Sequence, residues 1–189
     1  LRRETCDDHS LLEQHPYFLD LMQGRMSRER YAAFLSAYAG HMLPLESVLD
    51  RGLRNNPFHV YVQPACRLAS LAADLSQLGQ PWPPANQAAT DWCVPRSSSF
   101  LVGVLYVHLG SRLGARLIAK QLLANHAIVA SCGGSFFSDH DHGFAMWMDF
   151  LERLQQNEAE IHVSAAVEGA QAAFGEFRFW LSRAHGGQV

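Results

Sequence analysis

The residues whose types and spacing could do chemistry begin with three glycines. Gly103, Gly110 and Gly114 interrupt the apolar run Phe100–Leu123 at i, i+7 and i+11, which is one face of a helix. Each interior glycine weakens a helix by about 1 kcal/mol against alanine, so a glycine face needs an offsetting partner. Either a second helix packed closely or a flat ligand approached by bare main chain would serve. His9 comes next, falling with Leu1, Thr5 and Leu12 at i, i+4, i+8 and i+11, on the face that an N-terminal helix turns inward. A histidine there is either a satisfied core residue or an axial ligand to haem iron. In the second case a neutral imidazole lies on one side of the macrocycle and the glycine helix on the other. Asp139-His140-Asp141-His142 has metal-ligating residue types, but in a polar, glycine-flanked loop its side chains are expected to be solvated. Cys6, Cys66, Cys93 and Cys132 form no Cys-x-x-Cys pair. That argues against a structural zinc site or thioredoxin-type chemistry and leaves reduced cytosolic thiols as the expectation.

The elements that must position these residues read as helices throughout. Leu1 to Gln14 forms the first and His15-Pro16 closes it, because a residue before proline is pushed out of the helical region. A short segment, Tyr17 to Met22, ends at Gly24. Ser27 then caps a long helix, about Arg28 to Leu53, with Tyr31, Phe34, Leu35, Tyr38, Met42, Leu45 and Leu49 inward and a kink expected at Pro44. After the break Asn55-Asn56-Pro57, a helix from about Val60 to Leu78 is expected. The turn-rich stretch Gly79 to Pro84 follows, then a short segment near Asn86 to Trp92. Ser97-Ser98-Ser99 offers caps for the glycine helix, and Ala130 to Gly143 reads as a loop. Phe144 to Gln156 and Ile161 to Ser182 are the last two helices, the second carrying Val163, Ala166, Val167, Ala170, Phe174, Phe177 and Leu181 inward. No strand-period alternation and no repeat is evident, so the fold class is all-α, with residues 1–189 as one domain.

Length and charge narrow the partners. A chain of 189 residues, 48% hydrophobic, can bury a sizeable core. Its net charge is −3, with both signs dispersed, so neither nucleic acid nor an anionic membrane is indicated. The uncharged apolar stretch Phe100–Leu109 is too short to span a bilayer, and no signal-peptide pattern opens the sequence. A cytoplasmic protein is expected.

A family resemblance joins these features. Leu1-Arg-x-x-Thr5-x-x-x-His9-x-Leu-Leu12-Glu13, Gly24-x-x-Ser27-x-x-x-Tyr31-x-x-Phe34-Leu35 and Pro44-Leu45-Glu46 resemble the N-terminal half of the haem oxygenases. The bacterial, biliverdin-forming branch associated with bacteriophytochromes is the nearest match. Leu105-Tyr106-Val107-x-x-Gly110-Ser111-x-Leu113-Gly114 is similar to that branch's distal helix, and Gly134-Ser135-Phe136-Phe137 and Trp147-x-x-Phe150-Leu151 follow in the expected order. The resemblance implies a helical fold with haem between a proximal and a distal helix, and an enzyme that opens haem to biliverdin, iron and carbon monoxide with dioxygen and external electrons. It makes His9 the axial ligand to the haem iron, with Thr5 and Glu13 beside it, and sets Gly110, Ser111 and Gly114 where dioxygen is handled. Tyr106, Phe136, Phe137 and Phe174 would contribute to the pocket. The propionates need cations at its mouth, for which Arg2, Arg116, Arg153 and Arg178 are candidates. Three departures from the branch's pattern stand out. His108-Leu109 replaces Leu-Glu, Ser111 occupies a position acidic in many animal-type members, and Ala115 stands where glycine is common.

No motif for a redox cofactor occurs in the chain, so the resemblance implies an outside electron donor, a small ferredoxin or flavoprotein. It also implies a bacteriophytochrome as acceptor of the product, and a monomer. Two other functions use the same residues: a non-catalytic haem binder for storage or delivery, and an all-α interaction module whose glycines merely pack helices.

Overall fold

The computed structural model describes residues 1–82, 96–126, 132–138 and 143–186, and every regular element among them is helical. The first helix, α1 (Cys6–Glu13), starts later than the apolar spacing predicts. Leu1 to Thr5 forms a turn in which both the Thr5 amide and its hydroxyl donate to the Leu1 carbonyl at 3.1 Å. His15 is extended (ψ 139°) and its Nδ1 accepts the Tyr17 amide at 3.3 Å, capping α2 (Pro16–Met22). Ser27 Oγ accepts from the Arg30 amide at 3.2 Å and so starts α3 (Arg28–Leu53). This helix runs on through Pro44, whose missing N–H leaves the Gly40 carbonyl without its helical donor. All seven residues expected on its inward face are buried.

The helix expected over Val60 to Leu78 is divided. Pro57–Tyr61 is a 3₁₀ turn, and α4 (Val62–Ala65) and α5 (Leu68–Gln77) are separated by an extended Cys66 (φ −62°, ψ 125°). The break has a partner: the Arg67 amide turns to the Glu46 carboxylate on α3, at 3.4 Å, instead of continuing the helical ladder. The glycine helix is α6 (Ser98–His126), capped by Ser97 Oγ accepting the Phe100 amide at 3.2 Å. Within the expected loop lies a single turn, α7 (Ser135–Ser138); α8 (Gly143–Gln156) and α9 (Val163–Gly186) complete the order. The segment expected near Asn86 to Trp92 and the run Asp139 to His142 lie outside the described residues.

Helices α6 and α9 form the centre of the molecule, and two glycines let them meet. A Cβ on Gly103 would stand 1.8 Å from the Ala166 carbonyl oxygen, and one on Gly169 would stand 2.0 Å from that of Phe100. On one side of this crossing Tyr17, Phe34, Tyr38, Phe136, Phe137, Phe177 and Trp180 pack together; on the other Leu45, Leu49, Phe58, Leu101, Leu105 and Phe150 do so. By length and composition Ser98–Ala124 could cross a membrane, yet more than half of its most apolar part is buried inside the protein, as befits a core helix. Two inward expectations fail. Val163, in the first turn of α9, is exposed, and α1 fully buries none of its side chains, so His9 does not turn into the core.

Candidate functional site

Helix α1 lies along α9 and presents His9 to solvent. Its side chain is 60% accessible, with Nδ1 3.6 Å from Glu13 Oε1 one turn on, and its ring stands edge-on to Phe174 of α9 at 6.0 Å. A carboxylate beside Nδ1 favours the tautomer whose Nε2 carries the free lone pair, the form that binds a metal. Thr5 is buried beneath this helix, fixing the turn that precedes it. Arg178, one turn beyond Phe174, donates from Nη1 to the Asp8 carboxylate at 3.1 Å and to the Asp8 carbonyl at 3.4 Å.

The three glycines of α6 separate by what faces them. Gly103 is filled by α9, as above. A Cβ on Gly110 would reach the Trp147 ring of α8 at 3.5 Å, an ordinary contact. A Cβ on Gly114 would meet nothing within 4 Å, and Leu113 and Leu117 beside it are 40% and 50% exposed. Helix packing therefore accounts for Gly103 and leaves Gly114 unexplained. Among the described residues, this part of α6 is an apolar surface without a bulky side chain at its centre. Tyr106, one turn before Gly110, packs on Trp147 with ring centroids 5.0 Å apart. Burial pushes its phenol pKa up and the positive charge of Arg2 pulls it back.

Behind α6 is a buried polar cluster. Glu46 of α3 accepts the Arg67 amide and lies 3.8 Å from His108 Nε2, so His108 points behind the helix, away from the glycine face. Burial raises the Glu46 pKa, while the Cys66 thiol, the Arg67 amide and the Arg67 charge all oppose the rise. Arg67 stacks its guanidinium over Phe136 at 4.4 Å and donates to Ser111 Oγ at 3.3 Å; Ser111 in turn donates to the His108 carbonyl at 2.7 Å. Asp74 of α5 is fully buried and accepts the amides of Ser135 and Phe136 and the Ser135 hydroxyl, at 3.0, 2.7 and 2.6 Å. With Tyr31 donating to the Gly133 carbonyl at 2.9 Å, it fixes the Gly133–Phe137 segment. Phe136 and Phe137 are fully buried there against Tyr38, within the core beneath the site.

The candidate cations divide in the same way. Arg153 donates from Nε to the Tyr61 hydroxyl at 3.0 Å, and that hydroxyl donates to Asp149, so Arg153 belongs to the contact between α8 and the 3₁₀ turn. Arg178 is engaged by Asp8. Arg2 and Arg116 are exposed and make no ion pair among the described residues. Sequence reasoning passed over Arg67, Asp74 and Asp8, although a signal was present for Asp74. It falls with Leu71, Leu75 and Leu78 at i+3, i+4 and i+7, a lone carboxylate on an inward face. Among the described residues no group of acidic, histidine or cysteine side chains could hold a metal ion by itself, and Cys6, Cys66 and Cys132 are free and exposed.

A family model described as heme oxygenase matches residues 1–183. The chain belongs to the haem oxygenase family. Its likeness to the curated heme oxygenase of Xanthomonas campestris pv. campestris (strain 8004) is 34% identity over 122 residues, 61% of this chain and 67% of that one. The fold is shared with the heme oxygenase of Leptospira interrogans, at TM-score 0.77 and 20% identity over 97% of both chains. It is also shared with heme oxygenase-1 of the cyanobacterium Synechocystis sp. PCC6803, solved in complex with heme, at TM-score 0.72 and 21% identity, covering 98% of this chain and 90% of that one. The expected all-α haem oxygenase fold is therefore the observed one, and the protein is a haem-degrading enzyme.

Proposed function

We propose that this haem oxygenase domain binds haem between α1 and the open face of α6, with His9 as the iron ligand, and opens it to biliverdin in the cytoplasm. The observation that carries the reading is the state of Gly114. It is an interior glycine with no neighbour among the described residues to explain it, flanked by exposed Leu113 and Leu117, on a helix whose Gly103 is filled by α9. An apolar, flat ligand fits that surface, and the imidazole of His9 with Glu13 at its Nδ1 fits iron.

When bound, haem supplies both the iron that takes dioxygen and the meso carbon that is oxidised. The chain does the rest. Glu13 orients His9, and Phe174 supports the imidazole from below. Gly110 and Gly114 keep side chains out of the space that dioxygen needs and leave main-chain groups and water to donate hydrogen bonds there. Ser111, at a position acidic in many animal-type members, connects this turn of α6 to the buried Arg67, a fixed positive charge behind the distal face. Phe136 holds that charge in place from within the core, and Phe137 packs beside it. Arg2, whose charge acts on Tyr106, and Arg116, two residues beyond Gly114, are the cations left to meet the propionates, since Arg153 and Arg178 have partners. Electrons come from a ferredoxin or flavoprotein, the working unit is a monomer, and a bacteriophytochrome accepts the product.

The test is optical. Hemin is added to the protein, then ascorbate or a ferredoxin system in air, and the Soret band is followed beside the far-red absorbance. Soret loss with biliverdin appearing, undiminished by catalase, is expected. A stable oxygenated spectrum without ring opening would instead mark a haem binder. His9→Ala should abolish the ligated Soret spectrum while leaving helicity intact, and an unchanged spectrum would remove His9 from its assigned role.

A further inference from the structure

Helix α1 carries the proposed iron ligand, yet it has little to hold it in place. None of its residues is fully buried, Leu11 is exposed, and only Leu12 packs part-way onto the core. A helix of two turns gains little from its own hydrogen bonds, so its position must come from contacts with the body. Those with α9 lie on one strip, where Phe174 meets the His9 ring and Arg178 reaches Asp8, while Gln171 holds the preceding turn by donating to the Glu4 carbonyl at 3.5 Å. The three fall one helical turn apart, with Arg178 at the far end. Its Nη1 is shared between the carboxylate and the carbonyl of a single residue, the one that immediately precedes His9. A contact to the side chain alone would restrain only a rotamer. One that also holds the carbonyl restrains the helix, in rotation about its axis and in height along α9. The His9 ring leaves that helix about 100° further round, at 3.6 residues per turn.

We propose that Arg178 and Asp8 form a clamp that positions the proximal helix, and through it the His9 imidazole, against α9. Arg178 is then a positioning residue acting through α1 and not a partner of the haem propionates. The inference rests on His9 as the iron ligand, but its structural half does not.

Two measurements test the two halves separately. In the haem-free protein, amide hydrogen exchange of residues 6–13 should be faster by about tenfold in Arg178→Gln and in Asp8→Asn, as expected for loss of a charged, part-exposed hydrogen bond, with α6 and α9 unchanged. Reversal of the pair, Asp8→Arg with Arg178→Asp, should not restore the protection, because an aspartate at position 178 has no donor for the residue-8 carbonyl; full restoration would mean that the side-chain ion pair alone holds the helix. In the haem complex, both single variants should broaden the iron–histidine stretching band of the ferrous protein and speed haem dissociation. The speeding should be equal for haem and for haem dimethyl ester, whose propionates carry no charge. If Arg178→Gln leaves exchange in residues 6–13 as it was, there is no clamp. If its effect on dissociation vanishes with the ester and Asp8→Asn has none, Arg178 serves a propionate and the proposal is wrong. A failure of the His9 assignment shows otherwise: the iron–histidine band persists in His9→Ala while the exchange effects of Arg178→Gln stand.

Discussion

Single residues in this fold carry energetic consequences that their type alone does not announce, and His41 is the sharpest case. It sits on α3 among Tyr38, Met42 and Phe177, and its Nδ1 is buried with no hydrogen-bond partner among the described residues. Desolvation disfavours the charged ring and lowers its pKa to about 3. The unfolded chain protonates His41 near pH 6.5, so between that pH and about 3 the unfolded state holds one proton more than the folded one. Stability from this residue is therefore present above pH 6.5 and is lost on acidification, at a slope approaching about 1.4 kcal/mol per pH unit. His41→Leu removes both the titration and the orphaned nitrogen, and should be more stable by about 1 kcal/mol at pH 7. Urea unfolding at pH 7, 6, 5 and 4 should show that advantage widening with each step. An advantage that stays constant across the series would mean that His41 is not what acid attacks.

At the scale of the element, α6 is one helix with two kinds of glycine, and substitution should separate them. Gly103→Ala drives a methyl into the Ala166 backbone, which cannot swing aside, and should cost about 3 kcal/mol or more, a fall in Tm of roughly 6–12 °C. Gly114→Ala meets no neighbour among the described residues and gains up to about 1 kcal/mol of helix propensity, so the haem-free protein should melt slightly higher. Its haem-degrading rate should nevertheless drop by about tenfold or more, since the methyl occupies the distal face; stability and activity moving apart is the signature of a functional glycine. Thermal melts and biliverdin formation on the two variants decide it. The sequence placed all three glycines on one helical face but could not divide them, because what separates Gly103 from Gly114 is the presence of α9, whose Ala166 lies 63 residues beyond Gly103. The same limit explains the Val60–Leu78 helix. Its apolar spacing is continuous, and what breaks it is the Glu46 carboxylate drawing off the Arg67 amide, a contact across 21 residues. Where local signals decided the outcome they held: at Ser27 and Ser97 the helices begin where their caps said they would, and the first helix ends before His15-Pro16.

The whole molecule has two packed cores threaded by α3, α6 and α9, with α1 resting on α9 and reaching the first core only through a partly buried Leu12. Local opening of such an appendage costs far less than global unfolding, so in the haem-free protein α1 is the least protected of the helices that make up the proposed site. Haem binding the folded state alone stabilises it by RT ln(1 + [L]/Kd), about 2.7 kcal/mol at a hundredfold excess over Kd, or roughly 5–10 °C in Tm for a chain of this size. The gain should be unevenly spread. Residues 6–13 and the Gly110–Leu117 stretch acquire a partner they lacked, and their hydrogen exchange should slow most, while the α6–α9 crossing at Gly103 and Gly169 is already closed and should change only with global stability. His9→Ala should keep part of the Tm shift, from apolar contact with α6, but lose the protection of α1. Uniform slowing across all helices, or a wild-type pattern in His9→Ala, would mean that haem does not join α1 to α6 through the imidazole, and the two faces would need separate ligands.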